Sequence, residues 1–234
     1  MVIDVWSDVV CPWCFIGRRR LEKAIASLGQ DVDVTVRHRA FQLNPVAEGV
    51  EPTKELLSKK YNMPADQVSA MQAQVCSIAD GEGLCYDLDD TLSGNTGDAH
   101  RLLLWAQEQG RGDELLEAMY SSYFEKSGSL FDHESLRTLA TQVGLDAQQV
   151  ESVLSSSDFA QQVEQDQALA HQLGANGVPF YVIDMKYGIS GAQPQEAFDE
   201  TLRAALANVD ERVNSVGALK LVGLSKRSID FKHV

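Results

Sequence analysis

Cysteine is scarce: four of 234 residues, at positions 11, 14, 76 and 85. Basic residues are also few, 20 Lys and Arg against 34 Asp and Glu, which leaves a net charge of -14. That deficit argues against a general nucleic-acid surface and against binding to anionic membranes. No window approaches the roughly 20 apolar residues that a bilayer span needs. Met1 to Trp6 lack a basic region followed by an apolar one, so no signal peptide is expected and the cytoplasm is the predicted compartment. There, structural disulfides are uncommon, and paired cysteines are more often redox-active or metal-binding. Repeats and low-complexity tracts are absent too. What is present is an ordinary apolar fraction of 44%, enough for one large domain or a domain with a substantial insertion.

Val2 to Trp6 alternate well enough for a short buried strand, and Ser7 to Val10 lead from it into the first cysteine pair. Pro12 suits the first turn of a helix, where no amide hydrogen is needed. Phe15, Ile16, Leu21, Ala24, Ile25 and Leu28 mark that helix, with Gly29 as its expected C-terminal cap. Val32, Val34 and Val36 predict a second strand from Asp31 to Phe41, parallel to the first if the crossover is right-handed. Residues 1–50 thus form a β-α-β unit. From 51 to 173 the pattern is helical, with almost no strand signal. Asp146 and Gln149 read as a capping box there. Strand character returns over Val178–Ile183 and Tyr187–Ser190, an antiparallel hairpin, followed by a helix after Pro194. Residues 174–208 form this second segment, and the tail 209–234 stays unassigned.

The chemistry concentrates in Cys11-Pro12-Trp13-Cys14. A helix N-terminus carries unsatisfied amide hydrogens and roughly half a positive charge, an environment that favours a thiolate at Cys11. Thiol–disulfide exchange would need Cys11 exposed as nucleophile and Cys14, one turn later, more buried as resolving thiol. A zinc site is the competing reading, but it needs two more ligands, and Cys76 and Cys85 have no neighbouring His. No metal is expected. Arg18, Arg19 and Arg20 either tune Cys11 or form a solvated face. Asp8 either moves a proton or bonds the loop. His100 contacts the groove or packs, and His38 points inward or outward.

Cys11-Pro12-Trp13-Cys14 after an N-terminal strand, the helical insertion, and Gly177-Val178-Pro179 before a hairpin resemble the DsbA-like thioredoxin superfamily. Phe41-Gln42-Leu43-Asn44-Pro45, Ala99-His100-Arg101-Leu102 and Ile189-Ser190-Gly191-Ala192-Gln193 are similar to its FrnE-type cytoplasmic oxidoreductases. The resemblance runs from Val2 to Ala207. It implies an α/β thioredoxin-like fold carrying a large all-helical insertion, and a cis Pro179 beside the cysteine pair. Val178 would then offer its backbone to an extended substrate segment.

The activity implied is disulfide exchange with protein or low-molecular-weight thiols, with no cofactor beyond the Cys11–Cys14 disulfide. Partners would be thiol- or disulfide-bearing proteins and a recycling thiol or reductase. DsbA carries His where this chain has Trp13, so a weaker oxidant is expected. Cys76 and Cys85 are either an auxiliary redox pair or two unrelated thiols. Rival readings are a glutathione-dependent isomerase or transferase of the superfamily, which typically lacks the second cysteine, and a chaperone-like binding protein.

Overall fold

A computed structural model describes residues 1–29, 31–207 and 220–222. Of the tail 209–234, only Lys220–Val222 falls among them, and the rest, including His233, lies outside the described residues. Strand β1 (Val2–Ser7) leads through a short turn into α1 (Pro12–Ser27), and β2 (Thr35–Ala40) follows. Gly29 adopts φ +88° just beyond α1, the left-handed conformation that ends a helix. β2 is shorter than the expected Asp31–Phe41, because its pairing with β1 begins at Val2–Thr35.

The insertion comes next. It comprises β3 (Glu51–Pro52), α2 (Thr53–Tyr61), α3 (Ala65–Gly81), β4 (Leu92–Ser93), α4 (Gly97–Glu108), α5 (Gly112–Lys126), α6 (His133–Gln142), α7 (Ala147–Ser155) and α8 (Ala160–Gln172). The two-residue ladder of β3 and β4 departs from an all-helical insertion, and so short a pairing leaves no alternation to read. Asp146 caps α7 by accepting from the amides of Gln148 and Gln149. The chain returns through β5 (Phe180–Ile183), β6 (Tyr187–Ser190), α9 (Gln195–Ala207) and β7 (Lys220–Val222).

One five-stranded sheet has the order β2-β1-β5-β6-β7. β1 runs parallel to β2 and antiparallel to β5, and β5 pairs antiparallel with β6. Successive strand residues face opposite sides. Val5, Tyr181 and Ile183 pack with Leu21 and Ala24 of α1 and Phe198 and Leu202 of α9. Trp6, Phe180 and Val182 pack with Ala170 of α8. The Trp6 indole also donates to the Asp166 carbonyl at 2.8 Å.

The largest cluster joins the start of α1 to the insertion. Phe15 stacks on Tyr120 with ring centroids 4.8 Å apart, and Phe124 stacks on Tyr86 at 4.9 Å. Burying an aromatic side chain of this kind stabilises the fold by about 2 kcal/mol. The cysteine pair is therefore seated on the core that joins α1 to the insertion.

Candidate active site

Cys11 is the N-cap of α1, with extended backbone at φ -91° and ψ 113°, and Pro12 opens the helix. Its amide donates to the Asp8 carbonyl at 3.1 Å, which closes the turn between β1 and α1. No acidic residue occupies the first turn of α1, and no side chain caps its leading amides. Cys11 thus stands at the positive end of an uncapped helix.

The Val178–Pro179 peptide bond is cis, and the Cys11 thiol lies 3.6 Å from the Val178 carbonyl oxygen. The segments before and after the insertion meet at that contact, between residues 167 positions apart. The expected exposure of Cys11 needs correction. Cys11 and Cys14 are each only 2% exposed, both lying within the large apolar cluster against which Val178 packs. Burial drives the Cys14 thiol well above the ordinary range, and its hydrogen bond with Cys11 and the Cys11 charge push the same way.

Asp8 is fully buried and bonds the loop. Its carboxylate accepts from the Leu43 amide at 2.7 Å and meets His100 Nε2, from α4, at 3.1 Å. His100 is 1% exposed, so a polar pair without solvent sits just behind the cysteine turn. Such a pair holds β1, the loop after β2 and the insertion in one arrangement.

The arginines of α1 neither approach the sulfurs as partners nor form a free solvated face. Arg18 pairs with Glu22 at 2.8 Å and Asp113 at 3.0 Å, and Arg19 pairs with Glu22 and Glu117. Arg20 reaches Glu82 at 2.6 Å and also donates to the carbonyls of Ala192 and Gln193. They tie α1 to the insertion and to the loop before α9. His38 points inward to Asp113 at 2.7 Å, and that bond chiefly holds the Asp113 carboxyl below the usual range.

All four cysteines are free thiols. Cys76 lies within α3, half-buried, whereas Cys85 is exposed beyond that helix with its amide bonded to Glu125. Burial raises the Cys76 thiol. Among the described residues, no three His, Cys, Asp or Glu side chains gather as a metal-holding group.

Two contributors carried no usable sequence signal. Tyr86 donates its hydroxyl to the Pro12 carbonyl at 2.8 Å, across 74 residues. Gly17 lets α1 approach the cis-proline loop, since a Cβ there would sit 3.1 Å from Pro179 Cγ.

A paired thiol at a helix start, facing a cis-proline loop in a β-α-β and hairpin frame, defines the thioredoxin-like class. The chain belongs to the family of the DSBA-like thioredoxin domain, whose model matches residues 2–203. It is 41% identical to a Streptomyces coelicolor protein described as a probable DsbA oxidoreductase. That crystal structure covers 98% of this chain and 97% of its own, with a TM-score of 0.86. An uncharacterised Bacillus subtilis protein, YwbO, is 28% identical over 86% of this chain and 94% of its own length. The cytosolic disulfide reductase DsbM of Pseudomonas aeruginosa, solved with glutathione, shares the fold. It is 14% identical with a TM-score of 0.57, covering 90% of this chain and 98% of its own.

Proposed function

We propose that this chain is a thiol–disulfide oxidoreductase of the FrnE type, working in the cytoplasm on disulfides of proteins or low-molecular-weight thiols. The observation that carries the reading is the Cys11 sulfur at the N-cap of α1, 3.6 Å from the Val178 carbonyl of the cis-proline loop. Cys11 as thiolate attacks one sulfur of the substrate disulfide, and the other sulfur leaves as a thiol. Cys14 then loses its proton and attacks Cys11, which frees the substrate sulfur. The substrate gains two electrons, and the Cys11–Cys14 disulfide holds the oxidising equivalent. The cycle needs no metal or organic cofactor, only a thiol or reductase to recycle the pair. Run in reverse, the same steps oxidise a dithiol.

The high-lying Cys14 thiol supports the division of roles, because a protonated second sulfur does not compete for the substrate. Similarity of fold to a cytosolic reductase solved with glutathione supports, by analogy, a low-molecular-weight thiol as co-substrate. Trp13 in place of a histidine supports a weaker oxidant than DsbA.

The test is trapping on a Cys14→Ser variant in cell extract. Mixed disulfides through Cys11 are expected, and Cys11→Ser should abolish both trapping and disulfide reduction. Recovery of no adduct from a reactive Cys11 would sink the mechanism. A redox titration giving a potential as oxidising as about -120 mV would reject the weaker-oxidant assignment.

A further inference from the structure

Cys14 must lose a proton before it can resolve a mixed disulfide, yet it is 2% exposed and burial holds its thiol high. A cleft of about 70 Å³ between α1, α5 and the paired strands β1 and β2 reaches it. Leu21, Ile25 and Val36 give the cleft apolar walls. Glu22 and Asp113 also line it and are exposed, so it opens to solvent beside them. The volume is more than a water molecule needs.

His38 lines the same cleft. The sheet register sets it opposite Val5, and its amide donates to Gln107 Oε1 of α4 at 2.7 Å. Its Nε2 lies 2.7 Å from Asp113 Oδ1, and that bond chiefly keeps Asp113 a carboxylate, so Nε2 carries the hydrogen. The lone pair is then on Nδ1, which is buried with no hydrogen-bond partner. An imidazole oriented by a carboxylate, with its second nitrogen free, has the arrangement of a general base. The other titratable groups of the cleft are committed. Glu22 pairs with Arg18 at 2.8 Å and with Arg19 at 2.9 Å, and Arg18 also holds Asp113 at 3.0 Å. Burial keeps the Tyr120 hydroxyl protonated.

We infer that His38, oriented by Asp113, accepts the Cys14 proton through water in this cleft, a role that rests on the exchange mechanism proposed above. The Cys14 S–H bond breaks, and the sulfur keeps the electron pair with which it attacks Cys11. Water carries the proton to Nδ1, and Asp113 holds the imidazolium until it releases the proton to solvent. Nδ1 is closed to the cleft at rest, so the transfer includes a small turn of the ring, which the exposed Asp113 carboxylate follows.

The experiment separates the two steps by stopped flow, in the full chain carrying Cys76→Ser and Cys85→Ser so that only the Cys11–Cys14 pair reports. Reduced protein is mixed with sub-stoichiometric 5,5′-dithiobis(2-nitrobenzoate). Attack by Cys11 releases one thionitrobenzoate, and resolution by Cys14 releases the second. His38→Gln, which keeps a donor for Asp113, should slow the second release about a hundredfold at pH 7 and leave the first within about twofold. The deficit should shrink to about tenfold or less at pH 9, where hydroxide takes the proton directly. Asp113→Asn, at an exposed position, should slow the second release by a smaller factor. Near-ultraviolet circular dichroism verifies that each variant is folded. A second release as fast in both variants as in the parent would overturn the inference and leave disulfide exchange intact. So would equal slowing at pH 7 and pH 9, the result of loosened packing alone. Absence of a second release in the parent would instead sink the exchange mechanism, and the role of His38 with it.

Discussion

The Cys11 sulfur and the Val178 carbonyl oxygen are 3.6 Å apart, the contact through which the first and last thirds of the chain meet at the cysteine pair. It places Cys11 against the cis-proline loop, and Cys14 is as deeply buried as Cys11. Burial there acts on the thiol as well as on access, since the charged form loses its hydration.

Cys85, Cys76 and Cys14 should therefore separate in native alkylation. Cys85 is exposed and should react with iodoacetamide at pH 8 before half-buried Cys76, whose thiol is raised by burial. Cys14 should lag Cys85 by more than about tenfold, because burial both hides its sulfur and raises its thiol. Denaturant should erase the difference. Peptide mass mapping of timed quenches measures the order, and Cys14 modified as fast as Cys85 in folded protein would contradict it.

Asp8 and His100 form a buried pair that also holds the Leu43 amide. Asp8→Ala leaves the imidazole and the amide hydrogen without a partner inside the protein. The expected loss is about 3–5 kcal/mol, the range for breaking a buried polar pair. Asp8→Asn retains an acceptor for Leu43 and should cost about half as much. Urea unfolding monitored by tryptophan fluorescence gives both values. An Asp8→Ala midpoint equal to that of the parent would show that the pair contributes nothing.

Glu82 links stability to acid. Burial raises its carboxyl, but the hydrogen bonds from Lys23 and Arg20 outweigh that and hold it below the ordinary value. A carboxyl lowered in the folded state adds stability above its unfolded pKa, and that stability is lost as pH falls through the folded one. Glu82→Gln should thus be less stable than the parent by about 1 kcal/mol at pH 7. The gap should shrink below the ordinary glutamate value of about 4.3. Urea titrations at pH 7, 4 and 3 follow it. A gap that widens in acid would refute the assignment.

What the residue pattern disclosed was local. The cysteine pair behind a strand, the Gly29 cap, the Asp146 cap and the 180–190 hairpin each rest on neighbours a few positions apart. Long-range closure was hidden. The partners of Asp8 lie 35 and 92 residues away, and Tyr86 is 74 residues from Pro12. No periodicity reports such contacts. The same holds for the burial of Cys11 in a cluster drawn largely from the insertion. Arg18, Arg19 and Arg20 illustrate the other limit: a run of charges tells nothing of which carboxylates answer it. Here Glu82, Asp113 and Glu117 of the insertion do.

Gly17 and Tyr181 give the sharpest test of how closely α1 is fitted to the cis-proline loop. A Cβ on Gly17 would lie 2.2 Å from the Tyr181 hydroxyl oxygen and 3.4 Å from Ala192 Cβ. Tyr181 cannot swing aside easily, since it is fully buried and its ring sits edge-on to Phe198 at 5.0 Å. In an open helix, Gly→Ala would gain about 1 kcal/mol. Overpacking of this kind costs about 1–3 kcal/mol and sometimes more. Gly17→Ala should therefore destabilise by about 2 kcal/mol and depress disulfide reduction by displacing the loop over Cys11.

The Tyr181 hydroxyl is buried with no hydrogen-bond partner, so Tyr181→Phe alone should be neutral or slightly stabilising. The double variant then has room for the added methyl and should recover most of the stability and activity. A favourable coupling of about 2 kcal/mol between the two sites is expected from the double-mutant cycle. Additive effects, or a Gly17→Ala protein as stable as the parent, would mean that the helix and loop are less tightly apposed than their geometry requires.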